Sequence, residues 1–167
     1  MERKSLYIVR HAKAELPTFS KDDFQRDLIA RGISRAEDIA KKLKVHLPAI
    51  DKKTLIISST ANRAMQTAKI FGDILGYPEE RIVWEPKIYE AHHLFLMKRL
   101  NDIPASYGRV LLFGHNPGIS DLVSYATDHF VNLKTSHVAC LELEEEIDYS
   151  LLSANTASLK KIITENS

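Results

Sequence analysis

Two arginines and two histidines stand where apolar runs of this sequence give way to polar segments. Arg10 and His11 follow Leu6-Tyr7-Ile8-Val9, Arg63 lies shortly after Leu55-Ile56-Ile57, and His115 belongs to Gly114-His115-Asn116-Pro117-Gly118, directly after Val110-Leu111-Leu112-Phe113. Arginine offers a planar fork that binds phosphate oxygens in pairs and keeps its charge, and a neutral imidazole carries a lone pair able to attack phosphorus. Together they suit phosphoryl transfer. Taken singly, each has a plainer reading: a loop histidine, a solvated helix arginine, a turn histidine satisfied by backbone groups. The same chemistry recurring at three separate strand ends is what lifts them above those readings.

The elements that must carry these residues follow from periodicity. The three apolar runs are each followed by a polar turn and a helical pattern, which is the mark of buried strands in a parallel sheet. Ala36, Ile39, Ala40, Leu43 and Leu47 recur at helical spacing, with Pro48 as the stop. A second stripe runs Ala64, Ala68, Phe71 and Leu75, with Ser59 or Thr60 as N-cap and Gly76 as terminator. Leu96, Leu100 and Ile103 give a weaker third helix closed by Pro104, and a fourth starts at Pro117 and runs through Ile119, Leu122, Val123 and Ala126. Val138 to Leu143 and Tyr149 to Leu152, separated by three glutamates, read as an antiparallel hairpin, and Asn155 to Ile163 reads as a short helix. The expected fold is α/β, a mostly parallel central sheet with a C-terminal antiparallel hairpin and helices on both faces. In such sheets ligands bind beyond the carboxyl ends of the parallel strands.

A chain of 167 residues, 44% hydrophobic and 27% charged, matches one domain over residues 1–167 with a core of its own. Lys and Arg number 23 against 22 Asp and Glu, so the basic excess of a non-specific nucleic-acid binder is missing. The lone Cys140 can form neither an internal disulfide nor a zinc site, which fits a reducing compartment. The apolar run before Arg10 is too short for a signal sequence or a membrane span, so the expected location is cytoplasmic, with no membrane partner. No Gly-rich Walker loop and no acidic cluster of magnesium-binding spacing occurs, and the expected reaction needs neither metal nor cofactor.

These residues also carry a resemblance. Leu6 to Ala14, which includes Arg10-His11-Ala12, resembles the signature of the histidine phosphatase superfamily, whose fold is that of phosphoglycerate mutase. Asp27-Leu28 with Arg31-Gly32, the block Ser58-Ser59-Thr60-Ala61-Asn62-Arg63-Ala64-Met65-Gln66-Thr67-Ala68, and Leu112 to Gly118 are similar to its later motifs, in the same order. The small size and the His-Asn-Pro-Gly turn look most like the short phosphohistidine phosphatases of the SixA type. The resemblance implies a three-layer mutase-like fold, His11 as the nucleophile, Arg10 and Arg63 as the phosphoryl clamp, and His115 as a second histidine on the same group. Ala12 stands where the commonest pattern has glycine; a methyl there requires φ below zero and room around it.

Larger members of the superfamily carry an acidic residue near the position of Glu90, which makes Glu90 the candidate general acid; a surface carboxylate is the alternative. An alkoxide leaving group needs such a donor. Imidazole, whose conjugate acid has a pKa of about 6.5, leaves phosphohistidine far more readily without one. Too few residues separate Arg63 from His115 for an inserted lid, so the site is expected to be open enough for phosphohistidine on a partner protein, such as a phosphotransfer protein. Small phosphate esters, or phosphate binding without turnover, are the alternatives. His92 and His93 read as solvated helix-start residues, and Lys13 and Lys134 as surface lysines.

Overall fold

In the computed structural model, which describes residues 2–167, six strands form one mixed sheet. They are β1 (Ser5–Arg10), β2 (Thr54–Ser58), β3 (Val83–Trp84), β4 (Arg109–Gly114), β5 (Val138–Leu143) and β6 (Ala157–Ile163), in the order β3-β2-β4-β1-β5-β6. The first four run parallel. β5 is antiparallel to β1, and β6 to β5. Four helices complete the layers: α1 (Ala30–His46), α2 (Asn62–Leu75), α3 (His93–Asn101) and α4 (Gly118–Thr127).

Side chains alternate across each central strand, so the apolar runs feed two cores at once. Leu6, Ile8, Leu55, Ile57, Val110 and Leu112 pack with the buried faces of α3 and α4. Val9, Ile56, Leu111 and Phe113 pack on the other side with those of α1 and α2. This is the expected three-layer arrangement. Among the described residues, no helix is long and apolar enough to cross a membrane.

Register brings the strand ends level. Arg10 pairs with Gly114 across β1 and β4, and Ser58 with Phe113 across β2 and β4. Just beyond, the His11 N–H donates to the Gly114 carbonyl and the Ser59 N–H to the Phe113 carbonyl, both at 3.1 Å. The chain leaving β1 is pinned in turn by α1. The Ile29 N–H donates to the Lys13 carbonyl, and a Cβ at Gly32 would lie 2.1 Å from that same oxygen, so only glycine allows this approach.

The C-terminal region departs from the sequence reading. The hairpin exists, but its second strand is β6. Tyr149–Leu151 is a 3-10 turn whose buried Tyr149 hydroxyl donates to the Ser5 carbonyl. Residues 157–163, expected to be helical, pair with β5 instead. The cause is a register shift opposite Cys140/Leu141, where Leu141 faces Leu159 and Cys140 faces Lys161. The extra residue puts Leu159 and Ile162 against one core and Ile163 against the other, so apolar residues in a bulged strand imitate helical spacing. A smaller correction concerns α2. Its N-cap is Ala61, with no side-chain cap bond, rather than Ser59 or Thr60, and the Ser59 hydroxyl is bonded to His115.

Candidate active site

The sheet register assembles Arg10, His11, Arg63 and His115 into one cluster. The two imidazole centroids lie 5.2 Å apart. His11, Arg63 and His115 are 8%, 5% and 9% exposed, so these side chains are more recessed than a lidless chain suggests.

His11 follows β1, and its Nδ1 lies 2.8 Å from the Ala12 carbonyl oxygen. A carbonyl only accepts, so Nδ1 carries the proton and Nε2 keeps the free lone pair. Burial, followed by the positive charges of Arg63 and Arg10, pushes His11 down to about 4, partly opposed by the Ala12 hydrogen bond. His115 is pushed down to about 3 by burial, then by His11 and Arg63. Both rings are neutral at neutral pH.

His115 Nε2 lies 2.8 Å from Ser59 Oγ, which also accepts the Ala61 N–H at 3.2 Å. The arrangement that leaves fewest groups unpaired has Ser59 donating to Nε2 and His115 protonated on Nδ1. That Nδ1 is buried without a partner, and so are Nε of Arg10 and Nε of Arg63. Buried donors are nearly always paired in folded proteins. His93 Nδ1 and Ser136 Oγ are buried without partners as well; the three nitrogens of Arg10, Arg63 and His115 are the ones whose chemistry suits a tetrahedral oxyanion. Arg10 Nη1 is anchored on the Leu133 carbonyl at 3.2 Å. Among the described residues, no group of three His, Cys, Asp or Glu side chains is placed to hold a metal ion. A cavity of about 580 Å³ near the amino ends of the strands, lined by Lys4, Tyr7, Lys53 and Arg109 among others, contains none of the cluster residues.

Ala12 has no positive φ, and its N–H donates to Thr67 Oγ1 at 2.9 Å. Its methyl is fully buried in the core under α1 and α2, so the position needs no glycine, although the methyl is packed rather than free. Glu90 is exposed with φ of 60°, and no hydrogen bond ties its side chain to His11, Arg63 or His115. The residue before it, Tyr89, joins the cluster, with its ring 5.5 Å from that of His115. His92 caps α3 by accepting the Leu94 N–H. Lys134 is exposed and Lys13 half-buried.

Sequence reasoning missed Asp23, Ser59 as a histidine partner, Tyr89 and Ser136. Ser136 is buried with φ of 68°, and its N–H donates to the Arg10 and His11 carbonyls. Ser59 lies inside the block that carries Arg63, but its bond to His115 is not written in that spacing; Asp23, Tyr89 and Ser136 lie outside the motif blocks.

The two depressed histidines set an acid limit on stability. Each is proton-free in the folded state down to about 4 and about 3, whereas the unfolded chain takes up protons from about pH 6.5 downward. The unfolded state then binds more protons, so stability is full above pH 6.5 and falls as pH drops through that window. The urea midpoint of the wild type is expected to fall between pH 7 and pH 4.5 more steeply than that of His115→Gln; equal slopes contradict the buried neutral state.

The profile of the histidine phosphatase superfamily (branch 1) matches residues 6–107. A 2,3-bisphosphoglycerate-dependent phosphoglycerate mutase of Bradyrhizobium sp. (strain ORS 278) is 37% identical over 83 residues, 47% of this chain and 37% of that protein's own length. Among solved structures, the candidate phosphohistidine phosphatase SixA of Agrobacterium tumefaciens superposes with a TM-score of 0.75 at 24% identity, covering 96% of this chain and 97% of that one. The corresponding SixA of Nakamurella multipartitia gives 0.82 at 21% identity over 97% and 96%. The protein histidine phosphatase SixA complexed with tungstate gives 0.79 at 22% identity, over 96% of each chain. At these identities the structural likeness concerns the fold.

Proposed function

The chain belongs to the histidine phosphatase superfamily, and from that premise we propose that it is a metal-independent phosphatase working through a phosphohistidine on His11. Its preferred substrate is phosphohistidine carried by a partner protein. The substrate reacts with its imidazole ring protonated on the nitrogen that does not carry phosphorus: His11 Nε2 attacks phosphorus as the P–N bond breaks, and the electron pair leaves with a neutral imidazole. Water then attacks the phosphoenzyme, the pair of the breaking bond returns to Nε2, and the protons of the water leave with the product as dihydrogen phosphate, which ionises in solvent. Arg10, Arg63 and His115 donate to the equatorial oxygens, where negative charge spreads in the transition state.

The observation that carries this reading is the set of three unpaired buried donors beside a neutral imidazole with a free Nε2. A leaving imidazole whose ring is already protonated needs no further acid, which suits a cluster in which the Asp23 carboxylate is held ionised.

The test compares phosphoramidate and a phosphohistidine peptide with p-nitrophenyl phosphate, with and without chelator. The expected result is faster turnover of the P–N substrates, unaffected by chelation. Turnover of the ester alone would favour a small-ester phosphatase, and binding without turnover a phosphate-binding module. Glu90→Gln is expected to leave P–N hydrolysis nearly unchanged. A loss of roughly a hundredfold confined to the ester would give Glu90 the donor role.

A further inference from the structure

We propose that Asp23 is a positioning residue that sets the orientation of Arg63 toward the phosphoryl group, with Tyr89 as its partner; this rests on the phosphatase reading above. Asp23 opens a 3-10 turn (Asp23–Gln25) in the segment between β1 and α1. Its main-chain carbonyl accepts from Arg63 Nη1 at 2.7 Å, and its Oδ2 accepts from Nη2 at 3.1 Å. One residue thus engages both terminal nitrogens of the fork. That fixes the roll of the guanidinium plane and leaves Nε, the one nitrogen of the group without a partner, together with the second N–H of each terminal nitrogen to meet an anion.

The carboxylate is itself held from two further sides. Arg26 Nε donates to Oδ1 at 2.9 Å, and the Tyr89 hydroxyl donates to Oδ2 at 2.5 Å. The Tyr89 ring stands edge-on to Phe24 at 5.0 Å and to His115 at 5.5 Å, and lies 5.9 Å from the Arg63 guanidinium carbon. The turn, the arginine and the second histidine are therefore braced against one tyrosine. The Asp23 side chain is 44% exposed and that of Arg63 6%, so Asp23 sits at the rim with the arginine beneath it.

The Asp23 carboxylate carries no proton at neutral pH, and the Tyr89 hydroxyl keeps its proton directed at that carboxylate. The Tyr89 hydrogen bond, then Arg63, holds the Asp23 carboxyl down at about 2, against the cost of its burial. Burial and the same carboxylate push the Tyr89 hydroxyl up to about 12. Their effect passes through Arg63. An arginine whose roll is preset meets charge as it develops on the equatorial oxygens without reorganising, and such an interaction acts on kcat more than on ground-state binding.

The experiment measures kcat and KM on phosphoramidate, together with Kd for vanadate, which can adopt five-coordinate geometry, and for inorganic phosphate. It uses the full-length wild type, Asp23→Ala, Asp23→Asn, Tyr89→Phe and the Asp23→Ala/Tyr89→Phe double variant. Asp23→Ala is expected to lower kcat roughly 10- to 100-fold with KM within about threefold, and to weaken vanadate by a similar factor while phosphate changes little. Asp23→Asn, which keeps an acceptor for Nη2, should fall between Asp23→Ala and the wild type. The double variant should be no worse than Asp23→Ala, because Tyr89 acts through Asp23. An unchanged kcat in Asp23→Ala, or equal losses of phosphate and vanadate binding with a lowered Tm, would overturn the proposal. A wild type that binds vanadate but splits no phosphoramidate refutes the proposed function; the vanadate-to-phosphate comparison in Asp23→Ala then still decides the role of Asp23. A wild type that binds neither anion overturns both.

Discussion

His11→Ala is expected to eliminate phosphoryl turnover, a loss on the order of ten-thousandfold or more, with the fold retained. The size of the effect follows from how the lone pairs are committed. His11 Nδ1 is spent on the Ala12 carbonyl, so Nε2 is its one nucleophilic atom. His115 cannot substitute, because its Nε2 is engaged by Ser59. Removing the His11 ring takes away the attacking atom while Arg10, Arg63 and His115 remain to bind the anion. Vanadate or phosphate binding should therefore survive in the variant. A quench experiment supplies the second readout: the wild type should accumulate an acid-labile phosphoenzyme that the variant lacks. Turnover within tenfold of wild type in a folded His11→Ala protein would remove the nucleophile from His11.

Arg63→Ala should cost about a thousandfold in kcat, at or beyond the usual loss for a single oxyanion donor. The excess comes from Asp23. Its carboxylate now accepts from Arg63, Arg26 and Tyr89, and without Arg63 an under-compensated negative charge is left beside an incoming dianion. Adding Asp23→Ala to Arg63→Ala should therefore recover part of the loss, a non-additivity that a simple donor deletion would not show. Arg63→Lys should rescue poorly, since one ammonium cannot span the two Asp23 oxygens and also reach the phosphoryl group. Arg63→Ala activity within threefold of wild type would refute the clamp.

Much of the fold was legible because β1, β2 and β4 are buried on both faces and so appear as unbroken apolar runs. β6 was not, because a bulge changes which residues share a face and period two is lost. At the site, Arg10, His11, Arg63 and His115 were readable because Arg10 ends a strand and the others follow one closely, and parallel strands in register bring their carboxyl ends together. Asp23 and Tyr89 lay beyond such reasoning. Asp23 reaches Arg63 across 40 positions of sequence, from a turn without periodicity. Glu90 drew attention as an acidic residue, whereas the hydrogen bond to Asp23 is made by the neighbouring tyrosine, a contact that no charge pattern announces.

The sequence by itself determined the chemical inventory: two fixed cations, two titratable rings and strand-forming runs to carry them. Charge, lone pairs and hydrophobic period are properties of residues and their order. Tertiary structure alone decided the state of that inventory. Burial among arginines makes both histidines neutral, the Ala12 carbonyl selects the free nitrogen of His11, and Asp23 sets the roll of Arg63. Desolvation and hydrogen-bond direction depend on what surrounds an atom in space, and that is settled only when distant segments pack together.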